Sequence, residues 1–141
     1  MKRDEHKALL TGESVELANQ SNVVTLTTST TLTAGDSGKV FLIGTDALTI
    51  TLPSTQAGLE FTFINIGAAG NNIITISPQA ADGIAGTITL ASSVVTRVGT
   101  VDTDLVNTKA TSTKGNSVKI VGTGVAGTGA YYIVSSTGIW A

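Results

Sequence analysis

Along most of this chain, apolar residues alternate with small polar ones in short runs. Val24-Thr25-Leu26-Thr27, Leu48-Thr49-Ile50-Thr51-Leu52, Phe61-Thr62-Phe63-Ile64-Asn65-Ile66 and Ile73-Ile74-Thr75-Ile76 carry the pattern most plainly. A period of two sends successive side chains to opposite faces of a strand, so each run predicts a strand buried on one side. Thr is the commonest polar partner; it is β-branched and uncharged, which suits a pleated surface. The same reading predicts strands over 23–28, 31–33, 39–43, 47–52, 59–66, 72–77, 86–91, 94–98, 117–121 and 130–135, with a last short one at 139–140.

Turn chemistry separates these runs: Ala34-Gly35-Asp36-Ser37-Gly38, Gly44-Thr45-Asp46, Pro53-Ser54, the segment 67–71, Pro78, Ala81-Asp82-Gly83, Gly99 and Ser136-Thr137-Gly138. The polar, weakly patterned stretch 102–116 reads as a long loop, and no long internal repeat aligns by eye. Short strands at this spacing predict an all-β fold, a single β-sandwich or barrel, jelly-roll-like in type.

Charge changes the picture at the N-terminus. Seven of the 18 Lys, Arg, Asp and Glu residues fall within positions 1–20. The chain therefore divides into an N-terminal arm, 1–20, and a β domain, 21–141. The arm holds two pieces of helix-forming sequence interrupted at Thr11-Gly12, each too short to be stable alone in water. It is expected to be a partly helical or extended segment, either frayed or ordered on a partner.

Composition narrows the function classes. At 141 residues one domain is the default, and with 4% aromatic residues its core is expected to be aliphatic. A net charge of −2 lacks the basic stripe of a nucleic-acid binder. No apolar run reaches the ~18 residues of a membrane helix, and the start of the chain, charged with both signs, does not read as a signal peptide. Without cysteine there is neither a disulfide framework nor a thiolate metal site. A sheet whose outer faces carry Thr in place of Lys or Glu is weakly protected against sticking to other sheets, so the chain reads as a part of an assembly.

Candidate chemistry is thin. Gly122-Thr123-Gly124-Val125-Ala126-Gly127 fits G-x-G-x-x-G, but a dinucleotide site needs a helix next, and Tyr131-Tyr132-Ile133-Val134 is strand-like. A glycine-rich hairpin loop is expected instead. Gly35-Asp36-Ser37-Gly38 resembles the nucleophile segment of trypsin-like proteases, yet the one histidine, His6, lies in the arm, and Lys39 stands where that segment has glycine. Asp4, Glu5 and His6 are consecutive and poorly placed to converge on a metal ion. Asp102 and Asp104 offer Ca²⁺ too few oxygens. Glu60 alternates in phase with Thr62, opposite Leu59, Phe61 and Phe63, so it should face solvent or an interface. Trp140 is expected to close one end of the core, and one of Tyr131 and Tyr132 to point inward. No enzyme activity, cofactor or metal is expected.

An ordered series of motifs runs through the β domain: Leu32-Thr33-Ala34-Gly35-Asp36-Ser37-Gly38-Lys39, then an apolar strand, Ile50-Thr51-Leu52-Pro53, Gly58-Leu59-Glu60-Phe61-Thr62-Phe63-Ile64, Gly115-Asn116-Ser117-Val118-Lys119-Ile120, and Ser136-Thr137-Gly138-Ile139-Trp140. Over 23–141 this series resembles small β-rich virion proteins of tailed bacteriophages, most of all capsid decoration (cement) proteins. Gly35 and the glycines of 122–129 depart from that pattern. The resemblance implies a structural protein on the outer capsid surface, bound to the major capsid protein and to itself as a homotrimer, with no nucleic acid or membrane partner. It also implies an N-terminal arm that reaches capsid subunits. In this chain Lys2 and Arg3 would contribute charge, and Leu9, Leu10, Val15 and Leu17 apolar anchors. Similar modules occur in tail fibres and spikes, which gives an alternative role in recognising host surface glycans.

Overall fold

The computed structural model describes residues 22–89 and 93–141. The arm, 1–20, with Lys2, Arg3, Leu9, Leu10, Val15 and Leu17, lies outside the described residues. The rest is the all-β domain expected from the alternation. Its strands are β1 (Val23–Leu26), β2 (Thr30–Thr31), β3 (Val40–Ile43), β4 (Leu48–Thr51), β5 (Glu60–Asn65), β6 (Ile74–Ser77), β7 (Asp82–Thr89), β8 (Val94–Arg97), β9 (Leu105–Asn107), β10 (Ser117–Gly122) and β11 (Gly127–Thr137). The helical content among the described residues is two 3₁₀ turns, Ala34–Asp36 and Lys109–Thr111.

These strands form two sheets. Seven make one, in the order β1-β3-β5-β10-β11-β7-β8; four make the other, β2-β4-β6-β9. From β1 to β6 the chain passes from one sheet to the other at every strand. Val23 pairs with Val40 and Val40 with Thr62, all in parallel, while Thr31 pairs with Thr51 and Thr51 with Ser77, also in parallel. The first half of the domain is thus wound as three coils laid side by side. A jelly roll is antiparallel throughout, and the sandwich here differs from it in this winding. Antiparallel pairing enters with β8, which joins β7, and β9, which joins β6, and continues with β10 on β5 and the β10–β11 hairpin; β11 runs parallel to β7.

The period-two pattern fills the space between the sheets. Phe41, Ile43, Phe61, Phe63, Val118, Ile120 and Tyr131 point in from the larger sheet, and Leu48, Ile50, Ile74, Ile76 and Leu105 from the smaller. Each fully buried aliphatic or phenyl side chain contributes about 1.5–3 kcal/mol. Phe41 stacks on Phe63 with ring centroids 5.6 Å apart. Trp140 is fully buried, as expected, and its indole N–H donates to Thr137 O at 3.1 Å.

Some boundaries depart from the sequence reading. The expected loop over 102–116 contains β9 and the second 3₁₀ turn, because Leu105 and Asn107 alternate inward around Val106. The turn expected at Ala81-Asp82-Gly83 opens β7 instead. A Cβ on Gly83 would lie 3.0 Å from Thr128 O, so glycine here serves close backbone approach within a strand. Residues 139–140 form an isolated bridge from Asn107 to Trp140 in place of a strand.

Candidate functional site

At one end of the sandwich the glycine-rich segment forms the turn between β10 and β11, as expected. Most of its amides are already engaged. Gly124 N–H donates to Thr55 Oγ1 at 3.1 Å, Val125 N–H to Thr123 Oγ1 at 3.3 Å, and Gly127 N–H to Ala81 O at 2.8 Å. A phosphate cradle needs such N–H groups free and converging, so this turn is built for closure. Thr55 also donates to Ala130 O at 2.6 Å, and its own N–H donates to Asp82 Oδ2 at 2.8 Å. Tyr131 is buried beside this latch and donates to Pro53 O at 2.7 Å. Burial, with the Asp82 charge as a second cause, pushes its phenol well above the ordinary value of 10.0.

The Gly35-Asp36-Ser37-Gly38 segment is a turn whose polar atoms pin backbone. Asp36 Oδ2 accepts from Thr33 N–H at 2.9 Å and Oδ1 from Lys39 Nζ at 2.8 Å. The Lys39 hydrogen bond, then that of the Thr33 amide, holds the Asp36 carboxyl below its usual range. Ser37 Oγ accepts from Glu60 N–H at 3.1 Å, which ties the turn to β5. His6, the base a serine nucleophile would need, lies outside the described residues.

At the opposite end four buried asparagines form a chain that crosses from one sheet to the other. Asn65 closes β5 and Asn107 closes β9; Asn65 Nδ2 donates to Asn107 Oδ1 at 2.8 Å. Asn65 Oδ1 accepts from Gly67 N–H at 2.9 Å and from Asn72 Nδ2 at 3.4 Å. Asn107 Nδ2 donates to Ile139 O at 2.9 Å and to Asn116 Oδ1 at 3.3 Å. Asn116 Nδ2 donates to Thr113 Oγ1 at 2.8 Å. Among the described residues every buried side-chain polar atom has a partner, and a fully satisfied network of this kind rigidifies what it joins. The sequence reading missed this cluster, although Asn65 and Asn107 stand in the inward phase after Phe61-x-Phe63 and Leu105.

Arg97 was also missed. Its guanidinium clamps the loop after β8: Nε donates to Ile84 O at 2.8 Å, and Nη2 to Thr103 O and Asp104 O at 3.1 and 2.9 Å. Asp102 and Asp104 bring no third acidic or histidine ligand with them; no such group of three occurs among the described residues. Nor is there a ligand-sized cavity among them.

The chemistry that remains is on the outer faces. Glu60 faces outward on β5 and pairs with Lys119 on β10 at 2.9 Å. Tyr131 is buried while Tyr132 is 47% exposed, so one tyrosine of the pair points inward as the alternation requires. Lys109 and Asp46 make an exposed ion pair, and the Lys109 hydrogen bond is the main cause that lowers the Asp46 carboxyl. Among the described residues these side chains pin backbone and pair across the surface. No family model matches this chain, and no curated protein matches it.

Proposed function

We propose that this chain is a structural virion protein, a capsid decoration (cement) protein that binds the outer surface of the major capsid protein shell as a homotrimer and stabilises it without catalysis. The observation that carries the reading is the ordered motif series that resembles such proteins, together with what each motif does in the fold. Leu32 to Lys39 makes the pinned turn before β3, and Gly58 to Ile64 leads into β5 and forms its central run. Gly138 to Trp140 closes the core with a buried indole. The motifs specify a rigid block, and their polar groups are spent on holding it together.

A rigid block suits a clamp. A shell under internal pressure is strengthened by a part that spans subunit junctions, and symmetry repeats each weak contact many times. Outer faces rich in Thr and poor in charge avoid desolvating unpaired ions at such junctions. Lys2 and Arg3, with Leu9, Leu10, Val15 and Leu17, supply the arm that engages the capsid in this reading. The test is the copy number relative to the major capsid protein in purified virions, by quantitative mass spectrometry. A ratio near one to one, or a sizeable fraction of it, is expected; a handful of copies per virion overturns the reading.

Tyr132 favours one alternative, a tail-fibre or spike module that recognises surface glycans. An exposed phenol on an outer sheet face is a platform for a sugar ring. A glycan array that returns no binder removes this alternative.

A further inference from the structure

The chain leaves one sheet after β11 and finishes on the other. β11 runs in the seven-stranded sheet as far as Thr137, which pairs with Ser117. Gly138 then turns the backbone at φ +85°, packed so closely that a Cβ there would lie 2.2 Å from Asn116 Cγ. Residues 139–141 reach β9, the edge of the four-stranded sheet, and lie antiparallel to it. Val106 N–H donates to Ala141 O at 2.8 Å, and Ala141 N–H to Val106 O at 2.9 Å. Asn107 Nδ2 donates to Ile139 O at 2.9 Å. Between these bonds Trp140 sends its indole into the core, where it is fully buried, and its N–H donates back to Thr137 O.

The rest of that edge is largely spent. Backbone groups of alternate residues point to the same side of a strand, so those of Asp104 and Thr108 share the side of Val106. Asp104 O accepts from Arg97 Nη2 at 2.9 Å, and Thr108 O from Thr111 N–H at 3.1 Å. Val106 keeps both its N–H and its C=O for an added strand, and Ala141 takes both.

We propose that the β9 edge, with the space the indole fills, is a peptide-binding site that this chain occupies with its own residues 138–141. The ligand class is an extended peptide with an indole side chain. It offers a carbonyl to Asn107 Nδ2 one residue before the indole, and an N–H and a C=O to Val106 one residue after it. Recognition is strand addition with a side-chain anchor: main-chain bonds give affinity, and the buried indole gives specificity. The site lies outside the ladders of both sheets, joined to β11 through Gly138. Its contacts are local, so the same sequence should be recognised when it is not covalently attached. This inference goes beyond the capsid reading and does not rest on it.

The full chain contains one tryptophan. A variant without it is silent when indole is excited, and an added peptide becomes the only reporter. The experiment titrates full-length Trp140→Gly into the peptide Ser136-Thr137-Gly138-Ile139-Trp140-Ala141 and follows indole emission and anisotropy. The expected result is a blue shift with a saturable rise in anisotropy, at a Kd below about 1 mM. The peptide should also raise the Tm of the variant, and the same peptide carrying Trp140→Ala should not. Adding Val106→Pro removes the N–H that faces away from β6 and should weaken binding about tenfold. Circular dichroism shows whether Trp140→Gly keeps the fold. A folded variant that binds no peptide at about 1 mM, or that binds equally well with Val106→Pro, overturns the proposal. If Trp140→Gly does not fold, Ala141→Pro decides the matter, because it removes the Ala141 N–H and leaves the indole in place. Acrylamide should then quench Trp140 about threefold more than in the parent, and unchanged quenching overturns the proposal.

Discussion

Asn107→Ala tests whether the asparagine chain holds the two sheets together. The substitution removes one acceptor and two donated hydrogen bonds, all in the interior. Asn65 Nδ2 loses its 2.8 Å partner, and Ile139 O loses the 2.9 Å bond from Asn107. Asn116 Oδ1 keeps the Thr113 N–H at 2.9 Å and is spared. Asn65 cannot turn its amide toward a new partner, because its oxygen is held by Gly67 N–H and Asn72. Two groups are therefore stranded, at about 1–3 kcal/mol each, and the expected loss is about 3–4 kcal/mol. Against a total stability of about 5–15 kcal/mol that is a large fraction, and it corresponds to a fall of roughly 10–15 °C in Tm. Urea and thermal unfolding followed by circular dichroism measure it, with exposed Asn71→Ala as the control, expected within about 0.5 kcal/mol of the parent. Asn107→Asp sharpens the test. Its carboxylate would face Asn116 Oδ1 and Ile139 O, both acceptors, so the folded state should favour the protonated acid. The folded state then binds more protons than the unfolded one, and stability should recover as pH falls. A loss below about 1 kcal/mol for Asn107→Ala, or an Asn107→Asp variant indifferent to pH, would refute the argument.

Further outcomes follow from other parts of the fold. Tyr131 titrates above its ordinary value of 10.0, so above that pH the unfolded chain loses a proton that the folded one keeps. Stability should therefore fall by about 1.4 kcal/mol per pH unit there, and Tyr131→Phe should flatten the slope in alkaline urea titrations. Asp36 has the opposite sign: its carboxyl is lowered, so its contribution is full above the unfolded value of 3.8 and is lost as pH falls through the folded one. Asp36→Asn should remove that part of the acid limb in a series of melts. Gly99→Ala should destabilise by more than about 2 kcal/mol, since it combines backbone strain with a steric clash. Gly99 has φ +80°, and a Cβ there would lie 2.2 Å from Thr128 O. Gly38→Ala, at φ +87° with open space around it, should cost about 1 kcal/mol by the same denaturation assay.

The sequence made the strands legible wherever one face is buried. Phe61, Phe63, Ile74 and Ile76 alternate because their neighbours on the chain face outward, and the predicted strands over 59–66 and 72–77 lie where β5 and β6 do. The winding was hidden for a physical reason. Coils repeat in space through pairs such as Val23 with Val40 and Val40 with Thr62, but the spacing changes from coil to coil, and turns absorb the difference. An irregular coil leaves no fixed period for the eye to align. Strand β9 was hidden because it is short and its inward phase ends in Asn107, a polar residue that reads as loop until its partners are known. The same holds for Asp82, which reads as a turn residue until Thr55 N–H is seen on its carboxylate.

The place of the β10–β11 hairpin sets an order on folding. It lies between β5 and β7 in the larger sheet, although β5 and β7 are made earlier during synthesis. The three coils pair with one another over short stretches of chain, which favours their early formation. Until the hairpin emerges, the edge of β5, with Phe61 and Phe63 behind it, has no neighbour. A nascent chain at that stage carries an open apolar strand edge, a template for pairing with another chain. The hairpin of one molecule fits the gap in another as well as its own, so crowded synthesis favours hairpin exchange between molecules over loss of the sheet.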